Sequence, residues 1–146
     1  NKIRILLSRY QADGLAVYLY ILCDVYKEGY YKAVEVWEDY MYVIADEIKA
    51  SSDKVQQIIA FMCNRAMLTV FKGEDVKATG CNYEAVITSH GIQKRYAAIM
   101  KSYRRKSIEE IKRDFWLLTE EEEREINALY KSGNNAGYYG KNPDYY

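Results

Sequence analysis

Proline is nearly missing. Pro143 is the only one, so nothing in the body of the chain breaks a helix from within. Histidine is as scarce: His90 stands alone, without the spaced His and Cys ligands of a metal site. It follows the expected helix cap Ser89, where a local hydrogen bond suits it better than catalysis. Cys23, Cys63 and Cys81 are far apart and odd in number, which argues for reduced thiols and a cytoplasmic setting rather than a disulfide framework. Cys63 falls on a core stripe and Cys23 on a helix expected to be buried; both read as packing residues. No apolar run reaches the roughly 18 residues of a membrane span; the most apolar, GLAVYLYILCDVY, is broken by Asp24. A phosphate-binding glycine loop and a dinucleotide fingerprint are both missing. The glutamates at 120–123 suit helix initiation better than metal binding. These absences point away from an enzyme, a cofactor, a metal centre or a membrane protein, and no catalytic residue is expected.

What is present is a folding chain. Of 146 residues, 49% are hydrophobic, enough for one domain with a real core and an appendage. There are 16 tyrosines, and the 21 basic and 21 acidic residues cancel. Residues 2–10 read as a short helix capped by Asn1. QADG punctuates, and Asp13 is a candidate cap for a second helix to Glu28, apolar almost all round and ended by Gly29. An extended Tyr30-Tyr31-Lys32 leads to a third helix over 36–49, with Trp37, Met41, Ile44, Ala45 and Ile48 as its core face. Its other face carries Glu38, Asp39, Asp46 and Glu47. Ser52 or Asp53 caps a fourth helix with Val55, Ile58, Ile59, Met62 and Cys63 inward. LTVF and AVIT are strands flanking the polar KGEDVKATGCNYE. Ser89 caps a fifth helix. Ile108, Ile111 and Phe115 continue a helical pattern, and Thr119 with Glu122 has capping-box spacing for a last helix that Gly133 ends.

Two consecutive helices followed by a strand–wing–strand hairpin predict a mainly α, α+β fold. The expected form is a winged helix-turn-helix with a small β-hairpin wing and additional C-terminal helices. The expected divisions are a winged-helix domain over 1–106, a helical extension over 107–131 and a flexible tail or linker over 132–146.

The fifth helix carries the main charge signal. From Ser89 to Arg113 there are eight basic residues and two acidic ones. At about 100° per residue, Lys94, Lys101 and Arg105 share one line, opposite Ile92, Tyr96, Ile99 and Tyr103. Arg95 and Lys106 flank that line on one side and Arg104 on the other. The result is a buried stripe backed by a basic ridge. Two readings fit the ridge: a solvated helix face, or a surface for phosphates.

The runs KIRILLSRYQADGLAVYLYILCDVYKEGYY, ADEIKASSDKVQQIIAFM and TSHGIQKRY resemble the N-terminal domain, itself of unknown function, of DnaD-like phage and prophage replisome-organiser proteins. The resemblance extends over about residues 1–118. It begins inside that family's first motif, so a lead segment is expected before Asn1. It implies a winged-helix domain in replication initiation or primosome loading. The expected partners are DNA, single- or double-stranded, and replisome or helicase-loading proteins, with a possible homo-oligomer. In a winged helix the fourth helix is the recognition helix, whose outward residues here are Lys54, Gln57, Phe61, Asn64 and Arg65. Gln57 and Asn64 suit adenine edges; Arg65 suits phosphate or guanine. The candidate DNA-binding residues are therefore Lys94, Arg95, Lys101, Arg104, Arg105, Lys106, Lys54, Gln57 and Arg65. The alternative is a winged-helix protein-interaction and oligomerisation module without direct DNA binding.

Overall fold

The computed structural model describes residues 1–80, 82–103 and 114–132. Cys81, Arg104, Arg105, Lys106, Ile108, Ile111 and the expected tail from Gly133 onward lie outside the described residues. The chain divides into two compact units, Asn1–Ile92 and Gln93–Tyr146.

The first unit opens with α1 (Lys2–Glu28). Asn1 caps it, its side-chain oxygen accepting from the Ile3 N–H at 3.0 Å. The two helices expected around QADG are two arms of this one bent element. The break falls at Gln11, with φ 51° and ψ −140°, a costly conformation for a residue with a Cβ. Gly14 serves close packing instead: a Cβ there would stand 2.9 Å from the Tyr10 Cβ and 3.2 Å from Leu6. Asp13 does not take the capping role; its carboxylate accepts from Lys54 Nζ at 2.6 Å. Gly29 ends the helix at φ 137°, as expected of a C-terminal glycine.

The second arm of α1 is not buried all round. Val17, Ile21 and Val25 are fully buried, whereas Leu19 and Tyr26 are exposed. Cys23 is exposed too and is not a packing residue. An apolar circumference shows that a helix can be buried, but burial needs neighbours on every side, and within this unit α1 meets them along one stripe.

After β1 (Lys32–Val34) come α2 (Trp37–Ile48) and α3 (Ser52–Asn64). Ser51, one residue earlier than expected, caps α3 by accepting from the Lys54 N–H at 3.1 Å. Met41, Ile44 and Ala45 of α2 and Val55, Ile58, Ile59 and Met62 of α3 join the α1 stripe in the core. Burying each large aliphatic side chain contributes about 1.5–3 kcal/mol. Cys63 is only half-buried, and that burial raises its thiol pKa. One polar tie crosses from α2 to α1: the Tyr40 hydroxyl donates to Asp24 at 2.7 Å.

Strands β2 (Thr69–Lys72) and β3 (Ala85–Thr88) pair antiparallel, with Val70 opposite Ile87. β1 pairs with the other edge of β3, Ala33 opposite Val86, giving the order β1-β3-β2. The central strand β3 is buried along its whole length. The polar connection between the hairpin strands is more than a loop. It contains a one-turn helix, α4 (Glu74–Lys77), which buries Val76. Beyond it, Glu84 accepts from the Trp37 N–H at 2.9 Å. Glu84 thereby supplies the acceptor that Val36 cannot offer at the start of α2. The unit is mainly helical with a small three-stranded antiparallel sheet, an α+β arrangement. Among the described residues no helix is long and apolar enough to cross a membrane.

α5 (His90–Ser102) starts as expected, Ser89 Oγ accepting from the Ile92 N–H at 3.1 Å. In the second unit it is followed by residues 114–119 and α6 (Glu120–Ser132). Phe115 is not helical; it sits at φ 60°. Its carbonyl accepts from Gln93 Nε2 at 2.8 Å, and Gln93 Oε1 accepts from the Leu117 N–H at 2.6 Å. Gln93 is fully buried. Ala97 and Leu118 form a small core against which Trp116 and Ile126 pack. The capping box is present: Thr119 Oγ1 accepts from the Glu122 N–H, and Glu122 Oε1 from the Thr119 N–H, both at 3.2 Å.

The expected buried stripe of α5 needs correction. Ile99 and Tyr103 are 45% and 62% exposed, while Ile92, Gln93 and Ala97 are fully buried. The buried face is turned by roughly 80° from the one that the apolar residues suggested. The 115–118 segment approaches at Gln93 and Ala97, one polar and one small, and leaves Ile99 outside.

Candidate nucleic-acid interface

Turning α5 moves its cations. Lys94 and Lys101 lie on the flank of the buried face rather than opposite it, and Lys101 is only half-exposed. Lys94 Nζ is 3.1 Å from Glu122 Oε2. That carboxylate also closes the capping box, so one acid serves the α6 N-terminus and offsets a ridge cation. Arg95 is exposed on the outer side. Arg104, Arg105 and Lys106 lie outside the described residues. Within the described part of α5, then, the structure does not bring three free cations into line.

The second group of candidates lies on α3. Gln57, Asn64 and Arg65 are exposed as expected, together with Gln56 and Ala60. They form a row of amides and one small residue beside Asp53. Lys54 belongs to the neighbouring row and is held by Asp13 across 41 positions of sequence. Both side chains are partly exposed, so the pair is worth at most about 1 kcal/mol. It still removes much of the positive charge there.

Phe61 overturns its expected place among the outward residues: it is 8% exposed. The cause is the first arm of α1. The bend at Gln11 accompanies an arm that lays Tyr10 edge-on to Phe61, ring centroids 5.4 Å apart. The same contact brings Arg9, whose guanidinium carbon is 5.4 Å from the Phe61 centroid. Arg65, one turn on from Phe61, stands 5.2 Å from the same centroid. Both arginines are exposed, and neither has a carboxylate partner among the described residues. Arg9 was not singled out from the sequence. A signal was nonetheless there: residues 1–12 hold Lys2, Arg4 and Arg9 and no acid.

The other faces differ in character. The exposed side of α2 carries Asp39, Asp46 and Glu47 with Tyr42 and Val43. Asp46 pairs with Lys49 at 3.6 Å. In the hairpin connection an open hollow is lined by Gly73, Lys77, Asn82, Tyr83 and Glu84. Lys72 of β2 lies over the Trp37 ring at 4.1 Å.

These features define a mainly helical α+β domain whose third helix shows solvent an amide row edged by arginines. Residues 1–76 match the family described as Lin1244/Lin1753-like, N-terminal, and the chain belongs to that family. The family is one of unknown function. The match takes in α1 to α3, and with them Arg9, Phe61 and Arg65; it ends before α5. Neither the curated proteins nor the solved structures gave a match.

Proposed function

We propose that this chain is a winged-helix, DNA-binding and assembly domain of a phage or bacterial replication-initiation protein. It is read as a binding module and not an enzyme. One observation carries the reading. The helix pair α2–α3 is followed directly by the β2–β3 hairpin, and β1 completes the sheet in the order β1-β3-β2. In such an arrangement α3 takes the recognition position, and here Gln56, Gln57 and Asn64 are exposed on it. Amide side chains suit base edges, adenine above all. The resemblance to DnaD-like replisome organisers supports the setting and suggests helicase-loading proteins as partners.

The test is fluorescence anisotropy with labelled single- and double-stranded DNA at several salt concentrations. The expected result is an affinity that falls linearly in log–log form as salt rises, because bound cations displace condensed counterions. No binding of either strand form at 50 mM salt would overturn the reading.

A second reading, a protein-interaction and oligomerisation module, is favoured by a different surface. Leu19, Cys23 and Tyr26 make an exposed, uncharged row on the second arm of α1. Self-association in sedimentation without DNA affinity would select it.

A further inference from the structure

We infer that Arg9 and Arg65, both held against the ring of Phe61, form a clamp for the phosphodiester backbone of a nucleic acid. The inference rests on the DNA-binding reading above and moves its main phosphate contact from α5 to the junction of α1 and α3.

Aromatic rings hold the two guanidiniums. Arg9 lies 5.4 Å and Arg65 5.2 Å from the Phe61 centroid, and Arg9 is also 5.9 Å from the Tyr10 centroid. Aromatic rings attract a cation without neutralising it. A carboxylate in the same place would compete with phosphate for the same N–H donors, and no carboxylate pairs with either arginine among the described residues. The contrast is two turns before Phe61 on α3, where Lys54 is bound to Asp13 at 2.6 Å. Stacking also fixes the fork of donors before any ligand arrives, which lowers the entropy lost on forming bidentate bonds.

Spacing and surroundings fit a nucleic-acid strand. Sharing one ring puts the two guanidiniums no more than about 11 Å apart, close enough for both to reach neighbouring phosphates of one strand. Gln57, Phe61 and Arg65 follow one another at intervals of four on α3, so the clamp continues the amide row instead of standing apart from it. A strand held at Arg65 has its bases within the span of Gln57 and Asn64. Lys2 and Arg4 are exposed on the same arm and add to its positive charge. Phe61 itself is buried, so it is a platform for the arginines and not a stacking partner for a base.

The experiment uses the whole chain and the DNA that the wild-type protein binds best, with Arg9→Gln, Arg65→Gln, the double variant, and the double Arg→Lys variant. Both arginines are exposed and each ring contact is worth only a small part of the fold's stability, so the variants should stay folded, which their unfolding midpoints check. The expected result for the double glutamine variant is a loss of about tenfold or more in affinity at 0.1 M salt. Its log–log salt slope should be shallower by about one to two, with the same loss on unrelated sequences. The lysine pair should keep the wild-type slope and lose part of the affinity. If wild type binds DNA and the double variant binds with unchanged affinity and slope, the clamp is wrong while the DNA-binding reading stands. A loss confined to one sequence would also overturn the clamp, since backbone contacts carry no sequence information. If wild type binds no DNA, both fail together.

Discussion

Replacing Gln93 by leucine is the sharpest test of how the second unit is held. Gln93 is fully buried in α5 and makes two bonds to one passing strand of chain. It donates to the Phe115 carbonyl at 2.8 Å and accepts from the Leu117 N–H at 2.6 Å. Leucine has nearly the same volume and loses both bonds. A typical net hydrogen bond is worth about 1 kcal/mol, but the larger effect is on the groups left behind. The Phe115 carbonyl and the Leu117 N–H would be stranded, each at about 1–3 kcal/mol. Leucine's better transfer free energy offsets part of this. We therefore expect a destabilisation of about 2–4 kcal/mol. Phe115 at φ 60° adds to the effect, because its strained backbone is held by that same bond. Trp116 makes the unit observable: its indole N–H donates to Glu123 at 2.8 Å. Urea unfolding followed by Trp116 fluorescence, in a Trp37→Phe background, reads the second unit directly. At a slope of about 1.5 kcal/mol per molar the midpoint should fall by roughly 2 M. A midpoint within about 0.3 M of the parent's would refute the reasoning, and would mean that water satisfies the 115–117 backbone.

Two further outcomes follow from the first unit. Gly14→Ala sets helix propensity, a gain of about 1 kcal/mol, against a Cβ placed 2.9 Å from that of Tyr10, an overpacking of about 1–3 kcal/mol; melting temperature should fall, and a rise would show that the arms of α1 move apart freely. The Tyr40 hydroxyl pKa is pushed far above its ordinary value, first by burial and then by its bond to Asp24. Raised in the folded state, it contributes stability that is complete below about pH 10 and is lost as pH climbs above it. Lys32, whose ammonium is raised by its bond to Glu28, adds a loss of the same sign. Tyr40→Phe should therefore cost about 1.5–3 kcal/mol at pH 7 and flatten the alkaline limb of a denaturant-midpoint profile; an unchanged limb would place that sensitivity elsewhere.

Much of the local architecture was legible in the sequence. Asn1, Ser89 and the Thr119–Glu122 box mark helix starts, and Gly29 marks a stop, because a cap needs only its own few neighbours. The core faces of α2 and α3 were legible for a similar reason, since helical spacing puts Met41, Ile44 and Ala45 on one side whatever lies opposite. The strands at LTVF and AVIT were legible as well, although not the short α4 between them.

What sequence reasoning missed has a common cause. Phe61 belongs to an outward row by spacing alone, yet Tyr10, 51 positions earlier, covers it. Lys94 looks like a free cation until Glu122 arrives, and Lys54 until Asp13 does. Glu84 reads as a loop acid until it meets the start of α2. Periodicity in the sequence determined that each helix has an apolar stripe and a polar one. Only the tertiary structure decided which segment covers a stripe and which charges remain unpaired. The reason is physical: an ion pair or an aromatic contact depends on distances of a few ångströms between residues far apart in the chain, and local propensity holds no record of them.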